Sequence, residues 1–481
     1  MPQAPITPPL ASSVRWIAAA QAARLAAQML SLAVLARLLA ADAYGLIAMA
    51  MTVTNFAFLF RDLGTMVAII QRRRLPARLA DTLYWLNLAL ALALAVLLAA
   101  LAWPLAALYH EPRLAPVLLA LAPVFPLSGL AAVQQALLER AARFRRLARV
   151  ETLSALGGLA VALLVAWRGG QVWSLVLQML AATALSSLQL LRATTWRPRW
   201  RFSWRALRCT LDFSGHFSLV QLVGYLQRNG DSLLIGRLLG PLALGLYAMA
   251  YKAMTMPLQQ ISSIASRALV PAMSRAQDAP ERLAALYLRA SAVVTLLSAP
   301  MMAGLIALRA PFVQLAFGPR WSGLSALLPW LALLGLAQAL ATIPGSLLLA
   351  LGQARLLLWL GLLGAALQVG GCLLAARWGL QGIAASYCGA SLLLLWPLHR
   401  AALHRVPLSA MRLLAAIGQP LGAAALMLLA VALAQRSLAG IGLLPSFALC
   451  VLLGVLVYGA LVFPALPQRW RARLSWKGAR P

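Results

Sequence analysis

The chain has 481 residues, of which 63% are hydrophobic and only 11% are charged, and its formal net charge is +31. A soluble protein of this size needs a polar surface that this composition cannot supply, so an integral membrane protein is expected. The charge does not indicate nucleic-acid binding, because the arginines recur in short loops between apolar runs and form no single patch.

Apolar runs of about 20 residues recur along the whole chain and predict an all-α fold with fourteen transmembrane helices. Their predicted bounds are 14–39, 44–69, 82–109, 114–138, 149–168, 171–192, 214–238, 243–268, 288–309, 323–350, 355–378, 381–398, 412–434 and 444–464. Residues 1–13 carry no positive charge, unlike a cleavable signal peptide, so the first helix is expected to stay in the protein.

The loops between these helices alternate between arginine-rich and arginine-poor. Arginines cluster around 72–78, 140–149 and 192–208 and in the C-terminal tail, whereas the intervening loops hold one or two basic residues each. By the positive-inside rule this asymmetry puts both termini in the cytoplasm, which requires an even number of helices.

The longest basic loop in mid-chain separates helix six from helix seven. Trp196, Trp200 and Trp204 recur in it every four residues, so it is either a helix lying on the membrane surface or a plain linker. It divides the chain into an N-lobe (1–192), a basic cytoplasmic linker (193–213), a C-lobe (214–398) and a final part with helices thirteen and fourteen and a basic tail (399–481).

The two lobes are related by an internal repeat. Residues 35–52 align with 235–252 without a gap, with 9 of 18 positions identical, including Arg37 with Arg237 and Gly45 with Gly245. Both lobes begin in the cytoplasm, so they are expected to be parallel six-helix repeats related by an axis along the membrane normal. Gly240-Pro241 predicts a tight turn between helices seven and eight.

Polar residues form stripes at helical spacing inside several of these spans. The stripes comprise Gln21, Arg24 and Gln28 in helix one, Gln221, Tyr225 and Arg228 in helix seven, and Lys252 and Gln259 in helix eight. A polar stripe at membrane depth must face protein or water. The stripes therefore predict a hydrated cavity shared by the lobes, or, alternatively, polar contacts that bind neighbouring helices together.

The charges in these stripes are mostly positive. Arg24, Arg228 and Lys252 favour an anionic, phosphate-bearing ligand over a cationic drug. Asp62 and Asp231 are the carboxylates available for proton or sodium coupling. The four histidines form no metal-binding pair, the four cysteines are scattered, and catalytic and nucleotide-binding motifs are missing. We therefore expect neither metal nor cofactor, and no enzyme activity.

Several motifs resemble the polysaccharide-transport family of lipid-linked oligosaccharide flippases, most closely its colanic-acid exporter type. They are Gly-Asp-Ser-Leu-Leu-Ile-Gly-Arg at 230–237, Gly-Leu-Tyr at 245–247, Met-Pro-Leu-Gln-Gln at 256–260, and Leu-Ala-Arg-Leu-Leu at 35–39. That family belongs to the multidrug/oligosaccharidyl-lipid/polysaccharide exporter superfamily, whose fold has two six-helix lobes in a V. The resemblance implies a location in a bacterial inner membrane and a role in surface polysaccharide or exopolysaccharide assembly.

From this resemblance we expect a flippase for an oligosaccharide repeat unit linked to polyprenyl pyrophosphate. Arg24, Arg228 and Lys252 would bind the pyrophosphate, and Gln21, Gln28, Gln221, Tyr225 and Gln259 would contact sugar. Membrane lipids, a polysaccharide polymerase and export machinery are the other expected partners. Two alternatives are a multidrug cation antiporter of the same superfamily, which would need carboxylates in its cavity, and a membrane polysaccharide polymerase or ligase.

Overall fold

The computed structural model describes residues 31–62, 66, 69, 76–200, 203–438 and 440–465, and for some helical stretches the backbone alone. All regular structure in these residues is helical, as predicted. The chain divides into two compact units, Met1–Gly245 and Leu246–Pro481. The predicted lobe boundaries at 192 and 214 stay a prediction.

The first unit contains eight helices among the described residues. They are α1 (31–38), α2 (Ala41–Asp62), α3 (Ala77–Leu108), α4 (Leu114–Leu121), α5 (Val124–Arg140), α6 (Phe144–Trp167), α7 (Gln171–Ala193) and α8 (204–239). The core of this unit forms where α5 packs between α3 and α7, and α6 packs along α7. The segment predicted as one helix at 114–138 is a single candidate membrane span, Leu114–Arg140, in which the helix kinks at Ala122 and Pro123, where proline has no N–H for the helical ladder.

One continuous helical segment, Trp204–Ser274, contains the predicted turn at Gly240-Pro241. Gly240 has φ 80° and ψ −176°, a backbone conformation that glycine adopts without steric cost. This residue separates α8 from the next helix, α9 (241–274). The predicted turn is therefore confirmed at the residue expected.

The second unit holds most of α9 and seven further helices among the described residues. They are α10 (Pro280–Ala307), α11 (Arg309–Ala316), α12 (Leu324–Ala350), α13 (Ala354–Ala375), α14 (Gly379–Leu403), α15 (Ala410–Ser437) and α16 (Leu443–Val462). The most buried of these, α12, packs between α10 and α14, while α15 packs between α10 and α16.

Several helices start earlier than the hydrophobic runs predicted. Examples are α3 at Ala77 rather than 82, α6 at Phe144 rather than 149, and α10 at Pro280 rather than 288. Each of these early turns carries at least one arginine that lies before the predicted apolar span. Arginine is nonetheless a good helix former, so the backbone ladder continues beyond the apolar part of the span.

Eleven segments of the described chain are long and apolar enough to cross a membrane. Two of them, Asn229–Gln259 and Ala354–Leu403, each include the junction of two helices. Most of predicted helix one lies outside the described residues. The finding confirms a multi-pass, all-α membrane protein, and the count of fourteen stays a prediction.

The two glycines that the internal repeat aligned lie against each other within the first unit. A Cβ atom on Gly45 would overlap the carbonyl oxygen of Pro241, and one on Gly245 would overlap the carbonyl oxygen of Ala41. Positions 41 and 241 are also equivalent in the repeat, so the contact is reciprocal. The first turns of α2 and α9 thus meet backbone to backbone, which only a missing side chain allows.

The described part of the basic linker forms an extended strap, defined as residues 194–200, across the start of α3. Residues 194–200 have no helical backbone, whereas Trp204 already belongs to α8, so the surface-helix alternative is wrong for Trp196 and Trp200. The linker is ordered because Trp200 stacks on Trp85 of α3, with ring centroids 3.9 Å apart.

Hydrogen bonds reinforce the strap on α3. The Trp85 indole N–H donates to the carbonyl of Arg199 at 3.0 Å, and the N–H of Arg199 donates to the Asp81 carboxylate at 3.2 Å. Arg197 donates to the carbonyl of Thr194 at 2.8 Å, which satisfies an acceptor just beyond α7. Side chains of α3 therefore supply partners that an extended backbone lacks.

At the other end of the first unit, Arg113 links two loops. Its guanidinium binds Asp42 of α2 at 2.8 Å and Glu111 at 2.7 Å. The hydrogen bond and charge of Arg113 hold the pKa of Glu111 below its usual value. This cluster fixes the start of α2 to the connection between α3 and α4.

Candidate functional site

The structure describes only some of the residues predicted to bind pyrophosphate or sugar. Arg24 lies outside the described residues, together with Gln21 and Gln28. Arg228 lies within α8 and Gln221 seven residues before it, but their side chains are outside the described part. The stripe on helix one and the arginine of helix seven therefore stay predictions.

Lys252 lies on an exposed face of α9 that also carries Thr255 and Gln259. The opposite face of α9 packs into the second unit, where Met254 and Leu258 lie against Gly335 of α12. The polar stripe of α9 is thus directed away from the core of its own unit. Lys252 and Gln259 are accessible to a ligand, and neither hydrogen-bonds through its side chain to another described residue.

Tyr225, the predicted sugar contact, is buried in the first unit. Its hydroxyl donates a hydrogen bond to the carbonyl of Thr52, and its ring contacts Phe56 of α2 edge-on at 5.8 Å. These contacts hold α8 against α2, which is the helix-binding role left open for polar stripes.

The two candidate coupling carboxylates also differ. Asp231 is buried, and its carboxylate accepts a hydrogen bond from the N–H of Ser232 at 2.7 Å. Asp62 ends α2, and its side chain lies outside the described part. Among the described residues, His, Cys, Asp and Glu side chains form no group suited to bind a metal.

A polar pocket of about 310 Å³ lies inside the first unit, among α2, α5, α6 and α7. Its polar lining includes Arg61, Gln135, Glu151, Thr183 and Ser186. The sequence interpretation noted Arg61 near the end of helix two, as a residue that snorkels or pairs with Asp62, but it overlooked the other four residues because it considered polar stripes in the first two helices of each lobe only. The spacing of three between Thr183 and Ser186 was a visible signal.

An apolar groove of about 590 Å³ lies in the second unit, among α10, α11, α15 and α16. Pro300, Leu305, Phe312, Val455 and Tyr458 are among the side chains that line it. Its width depends on Gly304, where a Cβ would meet no atom within 4 Å. The groove has the shape and polarity to accept a hydrocarbon chain.

Comparison with known proteins gives a family and a fold for this architecture. Residues 34–326, more than half of the chain, match the family model described as polysaccharide biosynthesis protein. The chain is 27% identical over 341 residues to the lipopolysaccharide biosynthesis protein WzxC of Escherichia coli, covering 70% of this chain and 69% of that protein. It is 28% identical over 362 residues to the succinoglycan biosynthesis transport protein ExoT of Rhizobium meliloti, covering 74% and 72%.

A solved structure resembles the whole fold. The lipid II flippase MurJ in an inward closed conformation superposes with a TM-score of 0.78 at 13% identity, covering 93% of this chain and 98% of that one. At this identity the likeness establishes the fold alone. The chain therefore shares the helical fold of that structure.

Proposed function

The chain belongs to the polysaccharide biosynthesis protein family, and from that premise we propose that it is a flippase for lipid-linked oligosaccharides. Its substrate is an oligosaccharide repeat unit on polyprenyl pyrophosphate, which it moves across a bacterial inner membrane for surface polysaccharide or exopolysaccharide assembly. Family membership over residues 34–326 is the observation that carries this function. The names of the relatives, in polysaccharide biosynthesis and transport, support it.

Such a substrate has an apolar part and a polar part, and the chain offers separate surfaces for both. The groove of the second unit accepts the polyprenyl chain. Transfer of that chain from lipid to protein gains little hydrophobic free energy, because both surroundings are apolar. The groove therefore contributes shape and packing, and guides the lipid while the head group crosses.

Arg24, Arg228 and Lys252 bind the pyrophosphate in this proposal. Arginine offers a planar fork that matches phosphate oxygens, and lysine offers a point charge. The exposed position of Lys252 on α9 supports this role. Gln21, Gln28, Gln221 and Gln259 extend the polar surface toward the sugars.

The arginine asymmetry of the loops supports cytoplasmic termini and fourteen helices. In that orientation a negative-inside potential favours outward movement of an anionic head group, by about 2.3 kcal/mol per charge per 100 mV. This driving force acts without a nucleotide-binding site and without chemical change of the substrate.

The test is a depletion experiment in the source bacterium. Loss of this chain should stop export of polysaccharide and leave the lipid-linked repeat unit on the cytoplasmic side, where external periodate cannot oxidise its sugars in intact spheroplasts. Accumulated precursor that is accessible from outside would instead indicate a polymerase or ligase. Unchanged polysaccharide with increased sensitivity to cationic drugs would indicate a multidrug antiporter.

The same assay tests the arginines. Arg24→Ala or Arg228→Ala should block export at a normal level of membrane-inserted protein, and Arg→Lys should restore it in part, because a point charge replaces a bidentate fork. Normal export in both alanine variants would refute the pyrophosphate role. Loss of protein from the membrane would identify the arginines as structural.

A further inference from the structure

The polar pocket of the first unit lies among helices that are long and apolar enough to cross a membrane, toward one set of their ends, and its lining is rich in hydrogen-bonding groups. The lining comes from three helix faces at regular helical spacing: Gln135 on α5, Glu151 and Ser154 on α6, and Thr183 and Ser186 on α7. Arg61, near the end of α2, completes it. Such groups are costly in lipid, so the pocket must hold water or a polar ligand.

Some of the pocket's polar groups hold the helices together. The Ser154 hydroxyl accepts a hydrogen bond from the Gln189 side chain at 3.1 Å, and Ser187 donates to the carbonyl of Leu127 at 2.6 Å. These bonds join α6 to α7 and α7 to α5. They fix the positions of the pocket walls, and the small alanine side chains in the lining leave the space between the walls open.

Other groups are available for a ligand. The Thr183 and Ser186 hydroxyls are half-buried, lie on one face of α7, and make no hydrogen bond to another described residue. Each hydroxyl offers a donor and acceptors. The Gln135 amide donates to Glu139 at 2.9 Å, which leaves its carbonyl oxygen as an acceptor.

The charges of the pocket exclude an ionic ligand. One arginine and one glutamate line it, so it has neither the positive excess that a pyrophosphate requires nor the negative excess that a cation requires. A mixed set of donors and acceptors around a neutral space suits a neutral polyhydroxyl compound. The volume, about 310 Å³, accommodates about ten water molecules at ~30 Å³ each, a size comparable with a single monosaccharide residue.

We propose that this pocket is a sugar-binding subsite that holds one neutral monosaccharide residue of the head group. This inference rests on the proposed function, and it assigns sugar recognition to the interior of the first unit. The pocket lies toward the helix ends that the arginine pattern predicts to be cytoplasmic, since Arg61, Gln135 and Leu190 belong to the last turns of α2, α5 and α7 or the turns just before them. A repeat unit completed in the cytoplasm would meet it on entry.

The test compares two lipids by native mass spectrometry of the purified full chain in detergent. One probe is polyprenyl pyrophosphate without sugar, and the other is the lipid-linked repeat unit extracted from the source bacterium. The double variant Thr183→Val/Ser186→Ala should weaken binding of the glycosylated lipid about tenfold, which equals about 1.4 kcal/mol and corresponds to two neutral hydrogen bonds. Its binding of the bare lipid should not change.

A matched control lies in the second unit. Thr295 and Ser298 of α10 have the same residue types and spacing, and they bond to carbonyls of their own helix at 2.7 and 2.8 Å. Thr295→Val/Ser298→Ala should bind both lipids as the wild type does. A filling variant, Ala155→Leu, gives a second route: it should exclude the glycosylated lipid alone, and it decides the question if the double variant does not fold.

Different results would refute the proposed function and the sugar subsite. Wild-type protein that binds neither lipid above a membrane-protein standard refutes the proposed function, and this inference with it. Wild-type protein that prefers the glycosylated lipid, together with pocket variants that retain the full preference, refutes the sugar subsite alone.

Discussion

The contact between Gly45 and Gly245 makes a quantitative prediction for single and double substitutions. In an ordinary exposed helix position, Gly→Ala stabilises by roughly 1 kcal/mol through helix propensity. At Gly45 the new methyl group would overlap the Pro241 carbonyl oxygen, and at Gly245 it would overlap that of Ala41. The helices must then separate, and overpacking of this kind costs roughly 1–3 kcal/mol.

The two opposing effects give the expected sign. Gly45→Ala and Gly245→Ala should each lower stability by about 2 kcal/mol, which is the upper overpacking cost of about 3 kcal/mol less the propensity gain of about 1 kcal/mol; the upper cost applies because the overlapped atoms belong to the backbone. A Cβ on Gly245 would also lie 2.9 Å from the backbone nitrogen of Gly45, so both methyl groups push apart the same pair of backbones. A separation made for the first methyl group accommodates much of the second. The double variant should therefore cost less than the sum, with a coupling of about 1 kcal/mol.

Stability can be measured by SDS-induced unfolding of the purified protein in mixed micelles. Gly389→Ala is the matched control, because it lies inside α14 and a Cβ there meets no atom within 4 Å. That variant should be as stable as the wild type or slightly more stable. Additive effects at 45 and 245, or single variants as stable as the control, would refute the backbone-to-backbone contact.

Three further predictions concern other parts of the fold. Arg113→Gln should destabilise the protein at neutral pH, because the pKa of Glu111 is lowered in the folded state. The loss of stability relative to the wild type should be present above the unfolded-state pKa of glutamate, about 4.3, and should disappear as pH falls through the lower folded-state pKa. Thermal melts of both proteins from about pH 3 to 7 would measure it. Trp85→Phe should free the strap, because it removes the hydrogen bond to the Arg199 carbonyl and much of the stacking on Trp200. Trypsin should then cleave faster after Arg199. An unchanged cleavage rate would contradict the contact. Gly304→Leu should fill the apolar groove without loss of fold, because a Cβ at this position meets no atom within 4 Å. The variant should transport lipid-linked oligosaccharide more slowly than the wild type. Transport equal to the wild type would exclude the groove from the lipid path.

The sequence predicts those features that depend on local chemistry. The helices follow from apolar run length, and the turn at Gly240-Pro241 follows from a residue pair that tolerates a conformation closed to others. Errors occur where local signals compete. Arginine-bearing first turns such as that of α6 look like loops by charge, although arginine continues a helix readily. Pro123 kinks a predominantly apolar run that still forms one candidate membrane span.

Features that depend on distant partners could not be predicted in the same way. The strap is extended because Trp85 and Asp81, more than a hundred residues earlier, supply its hydrogen-bond partners. The faces of the polar pocket are each visible at helical spacing, but the sequence does not state which faces meet. The reciprocal glycine contact could be predicted only in part. The alignment of the repeat paired Gly45 with Gly245, but only the structure shows that their helices touch.

The strap also bears on the order in which the protein is made. All of its described partners on α3 precede it in the chain, and α8 packs through Tyr225 on α2, which was synthesised earlier still. A nascent chain released into the membrane as far as Gly245 therefore contains every residue of the first unit. Domains generally fold as units during synthesis. The N-terminal unit can thus complete its packing, including the contacts of its strap, while the ribosome is still translating α10 to α16.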